Sequence, residues 1–190
     1  MHDWLTSDTV VIGIGNTILS DDGVGVHAAR RLQHDPRLPA GVSILDGGTF
    51  GPELAPLVSD ASRLLFLDAV NSGDVPGTLT RMTGRDLLGT SRGMSVHQLG
   101  VVDLLSTLAL MSTKPQDVVV LGVQPANTDW GTSLSSDVEA GLADLVEAAL
   151  LQLQHWHESS DVSVETRAGA LRRDQSWDRK LLKSREEGCP

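Results

Sequence analysis

Apolar residues along this chain fall into short unbroken runs, separated by stretches where they recur every three or four positions. The runs are Thr9-Val10-Val11-Ile12-Gly13-Ile14, Val42-Ser43-Ile44-Leu45, Leu64-Leu65-Phe66-Leu67 and Val118-Val119-Val120-Leu121. The first is apolar without alternation, which is the pattern of a strand covered on both faces in a parallel sheet. A helix is predicted over 24–33, with Val24, Ala28 and Leu32 on one face. Pro36 and Pro39 mark the turn that follows it. Further helices are expected over 53–58, over 96–111 with Ser95 as N-cap, and over 136–154. In the last of these, Val138, Leu142, Leu145, Val146, Ala149 and Leu153 keep helical spacing. Gly77 to Arg81 reads as one more strand. Gly100 inside the 96–111 helix costs helix stability and predicts close packing there. Segment 84–94, with Gly84, Gly89 and Gly93, reads as a mobile loop, and 122–132 as a second exposed loop. Strands alternating with helices give an α/β three-layer sandwich, a mostly parallel twisted sheet flanked by helices.

Length and charge refine this picture. The chain has 190 residues with 40% hydrophobic content, enough for one domain with a sizeable core. The periodicity fades near Ser159, so the expected organisation is one α/β domain over 1–158 and a charged tail over 159–190, disordered or lightly docked. No run of 18 apolar residues exists, so no membrane span is expected. The N-terminus does not read as a signal peptide. The single cysteine, Cys189, excludes an internal disulfide framework and fits a reducing compartment, hence the cytoplasm. A monomer is the expected state. Residues 1–150 hold 8 Lys plus Arg against 18 Asp plus Glu, while 151–190 hold 7 of each. The whole net charge of -10 therefore belongs to the expected domain. It argues against nucleic acid as a partner and suits a cation or a basic segment, beside the plainer role of keeping a surface soluble.

Candidate chemistry gathers where strands end. Gly13-Ile14-Gly15-Asn16 after the first strand suggests dinucleotide binding, but the third glycine of that fingerprint falls on Ile18. Asp21 and Asp22 would also repel a pyrophosphate at the next helix terminus. Asp46 after the second strand keeps that reading open. In open α/β sheets, ligands bind beyond the carboxyl ends of the strands. Asp22, Asp46 and Asp68 follow strands one, two and three, and His97 opens the long helix. Two such carboxylates and an imidazole make a suitable divalent-metal set with an open coordination position. Each also has a plainer reading: a first-turn acid for Asp22, a strand-end cap for Asp68, a capping or surface histidine for His97. His155 and His157 read as surface residues. His-Glu-x-x-His and Gly-x-Ser-x-Gly motifs are absent, so an enzyme built on these groups would use activated water.

Five short motifs, in order, carry a resemblance. Gly13-Ile14-Gly15-Asn16 through Asp21-Asp22-Gly23-Val24-Gly25 is similar to the opening signature of the hydrogenase maturation proteases. Asp46-Gly47-Gly48-Thr49 resembles their second signature, and Leu67-Asp68-Ala69-Val70 with Pro76-Gly77 the third. Ser95-Val96-His97-Gln98-Leu99-Gly100 resembles the fourth, and Leu121-Gly122-Val123-Gln124-Pro125 the fifth. The resemblance covers residues 9–153. It implies an endopeptidase that cuts the C-terminal extension from the precursor of a nickel-iron hydrogenase large subunit, after nickel insertion. It places Asp22, Asp68 and His97 at the family's metal-ligand positions. The first ligand is Glu or Asp in that family, so Asp22 is no departure, although it is one methylene shorter than Glu. It also implies that nickel is recognised in the substrate precursor rather than held permanently.

Carboxylate and imidazole ligands suit Ni²⁺ already partly held by precursor thiolates. Two routes to activated water stay open. Nickel can orient or polarise the scissile carbonyl, or Asp22 or Asp68 can act as general base. Gly47, Gly48 and Thr49 are expected to shape the cleft. The alternative function is a noncatalytic, nickel-dependent checkpoint protein that binds the same precursor.

Overall fold

A computed structural model describes residues 7–89 and 96–165, the side chains of 88–89, 96–99 and 160–165 excepted. Five strands form one sheet: β1 (Thr9–Ile14), β2 (Val42–Gly48), β3 (Arg63–Ala69), β4 (Leu79–Thr83) and β5 (Asp117–Val123). Their order is β2-β1-β3-β5-β4. Four strands run parallel, and β4 pairs antiparallel with β5 at one edge. The helices are α1 (Val24–Gln33), α2 (Ala55–Val58), α3 (Gly84–Gly89), α4 (Val96–Leu110) and α5 (Ser136–Glu165).

Side-chain alternation along the central strands divides the core into two halves. Val11, Leu65, Leu67, Leu121 and Val123 pack with Val24, Ala28 and Leu32 of α1 and with Val138 to Trp156 of α5. Val10, Ile12, Leu64, Phe66 and Val120 pack with Val58 of α2, Leu87 of α3 and Val101, Leu104 and Leu108 of α4. Both faces are covered, so β1, β3 and most of β5 are buried, as their unbroken apolar runs require. The expected three-layer sandwich with a mostly parallel sheet is therefore the observed fold.

Four elements depart from expectation. The predicted loop over 84–94 begins with α3, and residues 90–94, like the expected N-cap Ser95, lie outside the described residues. Asp86 accepts hydrogen bonds from the Thr83 amide and hydroxyl, both at 2.7 Å, while Thr83 Oγ1 faces the Asp86 amide. This capping box nucleates a helix in spite of its glycines. β2 continues through Asp46 to Gly48, with a register shift between Gly13 and Ile14 that skips Gly47. β4 starts at Leu79 because Gly77 turns the chain at φ 84°. The α5 helix runs past the expected end at 154.

The chain divides into two compact units, Met1–Trp156 and His157–Pro190. Of the second, the described part is the last turns of α5, and the rest of the expected tail lies outside the described residues. Among the described residues no helix is long and apolar enough to cross a membrane.

Two glycines separate close packing from backbone freedom. A Cβ on Gly25 would lie 2.0 Å from Leu67 O and 2.4 Å from Ile14 O, whereas one on Gly48 (φ 51°) would meet open space. Gly25→Ala should lower the unfolding free energy by about 3 kcal/mol, through overpacking against backbone that cannot retreat. Gly48→Ala should cost about 1 kcal/mol, the conformational term alone. Chemical denaturation of both variants checks the ranking.

Candidate active site

The same Gly25 contact positions the candidate site. Helix α1 starts directly against the carbonyls of Ile14, which ends β1, and Leu67, near the end of β3, and the Gly25 carbonyl in turn lies 2.5 Å from where a Gly13 Cβ would be. The single-turn 3-10 helix Ser20–Gly23 is thereby held beside the carboxyl end of β3. Asp22 sits in that turn, half-buried, and its Oδ2 accepts the Asn16 amide at 2.9 Å. Asp68 is the sixth residue of β3, fully buried, and opposite Gly122 of β5. Its Oδ1 accepts the Ala69 amide at 2.8 Å. Strand alternation puts Asp68 on the face of Leu64 and Phe66, the face that α2 and α4 cover.

The start of α4 is fixed to the same edge by a second glycine contact. A Cβ on Gly51 would lie 3.2 Å from both the Cα and the carbonyl oxygen of Gly100. Gly51 follows the end of β2, so the expected close packing at Gly100 joins α4 to the carboxyl edge of the sheet. His97 lies one helical turn before Gly100, and its backbone therefore belongs to that edge. Its side chain lies outside the described residues. The fold thus brings the chain positions of Asp22, Asp68 and His97 to one edge from three elements. Among the described residues no group of three or more His, Cys, Asp or Glu side chains is arranged to hold a metal ion.

The remaining expected site residues are also at this edge. Gly47 is buried, where a Cβ would press 2.7 Å from Ile12 Cγ2, while Gly48 is half-buried and Thr49 exposed. The Gly48 carbonyl accepts the Gly15 amide at 2.8 Å, tying the ends of β2 and β1. Asp46 turns away from the site: it pairs with Arg30 at 3.0 Å and accepts the Gly48 amide at 3.2 Å. The dinucleotide reading loses its basis here. The turn that would cradle a pyrophosphate is filled by the chain itself, since a Gly15 Cβ would lie 1.8 Å from Asp22 O.

Two polar residues hold this edge together, and sequence reasoning gave neither a structural role. Asp21 is 0% exposed. Its Oδ2 accepts the amides of Ala126 (3.0 Å) and Asn127 (2.9 Å) and the Ser135 hydroxyl (2.9 Å), and its Oδ1 accepts the Ser135 amide (2.6 Å). Burial alone would push its carboxyl up. The donors from Ser135, Asn127 and Ala126 together outweigh burial and hold it below the usual carboxylate range. Gln124, also buried, uses Oε1 to accept the amides of Ser72 (2.8 Å) and Gly73 (3.0 Å). Its Nε2 donates to Asn71 Oδ1 at 3.2 Å. Asp21 thus fixes the loop after β5, and Gln124 fixes the loop after β3. Their partners are distant in sequence, so no local pattern marks them.

The hydrogenase maturation protease family model matches residues 26–152, two-thirds of the chain. The chain belongs to the hydrogenase maturation protease family. The protease is 37% identical over 151 residues to the hydrogenase expression/formation protein HupD of Rhodobacter capsulatus, covering 77% of this chain and 71% of that protein. Its structure is similar to the hydrogenase maturating endopeptidase HybD from Escherichia coli, with a TM-score of 0.71 and 32% identity over 77% of this chain and 92% of that one. It is similar also to the NiFe hydrogenase maturation protease HybD from Thermococcus kodakarensis, at TM-score 0.64 and 26% identity, covering 74% and 95%. Family membership makes this chain an endopeptidase of hydrogenase maturation. Asp68 and His97 fall inside the matched span, and the Asp21-Asp22 turn immediately precedes it.

The Asp21 network carries a stability prediction. Asp21→Asn replaces an acceptor-only carboxylate by a neutral amide facing four donors and should cost about 3 kcal/mol at neutral pH. The folded-state pKa is depressed, so the contribution of Asp21 is complete above the unfolded carboxyl pKa of about 3.9 and is lost as pH falls through the lower folded value. Denaturation of wild type and variant between pH 7 and pH 2 should show the difference shrinking only in acid.

Proposed function

We propose that this protease removes the C-terminal extension from the nickel-loaded precursor of a nickel-iron hydrogenase large subunit, in the cytoplasm, with Asp22, Asp68 and His97 as its working groups. The observation that carries the reading is the convergence of three separate elements at the carboxyl edge of the sheet: the Asp22 turn, the end of β3 at Asp68 and the first turn of α4. A maturation protease with acids at that edge is suited to inspect a metal on its substrate. Nickel here is part of the substrate. Asp68 is placed deep, where a carboxylate attracts a dication more strongly than an exposed one does. The lone cysteine at position 189 is in keeping with a reducing compartment.

Cleavage requires water to attack the scissile carbonyl carbon. The C–N bond then breaks, and the leaving amine takes a proton. Nickel ligated by the precursor and by Asp22, Asp68 and His97 would hold that carbonyl in place. A carboxylate oxygen of Asp22 or Asp68 left free by such ligation would accept the proton from water. Gly47, Gly48 and Thr49, at the end of β2, would border the bound segment, and their backbone amides would be available to it.

The test is incubation with nickel-loaded large-subunit precursor, read by intact-mass spectrometry. Wild type should shorten the precursor from its C-terminus. Asp68→Ala and His97→Ala should each reduce the rate by at least about 100-fold, the scale for losing a principal catalytic group, with circular dichroism unchanged. Normal cleavage by either variant would remove that residue from the site. Binding of a competent precursor by wild type without shortening it would favour the noncatalytic checkpoint alternative. Deleting residues 166–190 should leave the cleavage rate within about twofold, because the sheet-edge groups lie outside that segment.

A further inference from the structure

The loop after β5 is held far more firmly than its exposure requires. Besides the Asp21 carboxylate, it is tied to the loop after β1 by Ser20 N to Gly131 O (2.8 Å), Gly131 N to Ile18 O (3.0 Å) and Asp21 N to Asn127 O (3.1 Å). The Ser20 hydroxyl donates to Asp129 O at 3.0 Å. Gly131 is needed for this approach, since a Cβ there would lie 2.4 Å from Ser20 Oγ. Ser20 itself takes a positive φ of 49°, a strained conformation for a residue with a side chain. At the tip of this braced loop Trp130 is 80% exposed, and Ile18 is exposed in the turn beside the Leu19–Gly131 bridge.

A rigid tryptophan presented to solvent contributes little to its own fold, and it is the side chain that most often dominates a protein–protein contact. Its position fits that use. The exposed large apolar residues of the described chain include Ile18, Phe50, Val75 and Trp130, which lie on the loops leaving β1, β2, β3 and β5. All four loops leave the sheet at the candidate active edge. The segments 15–23, 46–53, 70–78 and 124–135 contain six acids and no Lys, Arg or His. Among the described residues, Asp74 and Asp129 make no ion pair. Asp21 is buried and Asp46 is paired with Arg30, so the rim's negative charge comes from the remaining acids, beside the exposed apolar residues.

We propose that Trp130, supported by Ile18, is the specificity-determining anchor that seats the precursor on the protease, and that its occupant is a precursor segment carrying an apolar side chain beside basic ones. This inference rests on the proposed precursor substrate. Trp130 acts in binding rather than in the chemical step, so its loss should raise KM and leave kcat nearly unchanged.

The experiment compares wild type and Trp130→Ala in cleavage kinetics with nickel-loaded precursor. Binding of the same precursor is measured separately for both proteins, on a timescale too short for turnover. The variant should raise KM by about 30-fold with kcat within about twofold, weaken precursor binding equally, and leave Tm unchanged. Trp130→Phe should recover most of the loss, and added salt should weaken wild-type binding. Cleavage and binding both within twofold of wild type in Trp130→Ala would overturn the anchor while leaving the protease reading intact. Loss of binding in the variant, with no cleavage by wild type, would keep the anchor and overturn the protease reading. A wild-type dimer in sedimentation that Trp130→Ala dissolves would assign the patch to a second copy of this chain and overturn the proposal, as would wild type that binds no precursor.

Discussion

The contact between the first turn of α1 and the Ile14 and Leu67 carbonyls of β1 and β3 is the constraint from which the active edge follows. No residue but glycine fits at position 25, because a side chain would enter the van der Waals space of Ile14 O and Leu67 O. With that contact made, the 3-10 turn carrying Asp22 has one place to go, beside the strand that carries Asp68. The parallel sheet supplies the rest. Its strands deliver their last residues to one side, and loops of modest length expose what those residues carry. A second glycine pair, Gly51 against Gly100, then draws the start of α4 and the His97 position to the same side.

Two adjacent acids at the edge sit in different surroundings. Asp21 turns inward, is saturated by four donors and braces the loop after β5. Asp22, next to it, stays half-buried at the edge, where its Oδ2 accepts the Asn16 amide. The braced loop in turn holds an exposed tryptophan over the same rim. Rigidity that would be superfluous for a solvent loop becomes intelligible if a large protein substrate must be held in one orientation before a single peptide bond is cut.

Much of this was legible in the sequence. Unbroken apolar runs identified β1, β3 and β5, and that alone placed Asp22 and Asp68 near a common edge. Gly100 announced the close packing that the Gly51 contact explains. Local glycines misled at α3, where the Thr83–Asp86 capping box outweighs Gly84 and Gly89. β2 ran past its expected stop because pairing with β1 continues to Gly48. Asp21 and Gln124 were invisible as fasteners. Their donors lie 51 to 114 positions away in the chain, and nothing in the dipeptide Asp21-Asp22 tells which carboxylate is structural. The five ordered motifs, rather than residue chemistry, singled out Asp22, Asp68 and His97 as a set.

Under the proposed function nickel belongs to the substrate, and its presence is the condition for cutting. The most direct measurement is the intact mass of large-subunit precursor after incubation with the protease, with nickel inserted and with nickel withheld. The expected result is loss of the C-terminal extension from the nickel-loaded precursor alone. Equal shortening of both forms would contradict it.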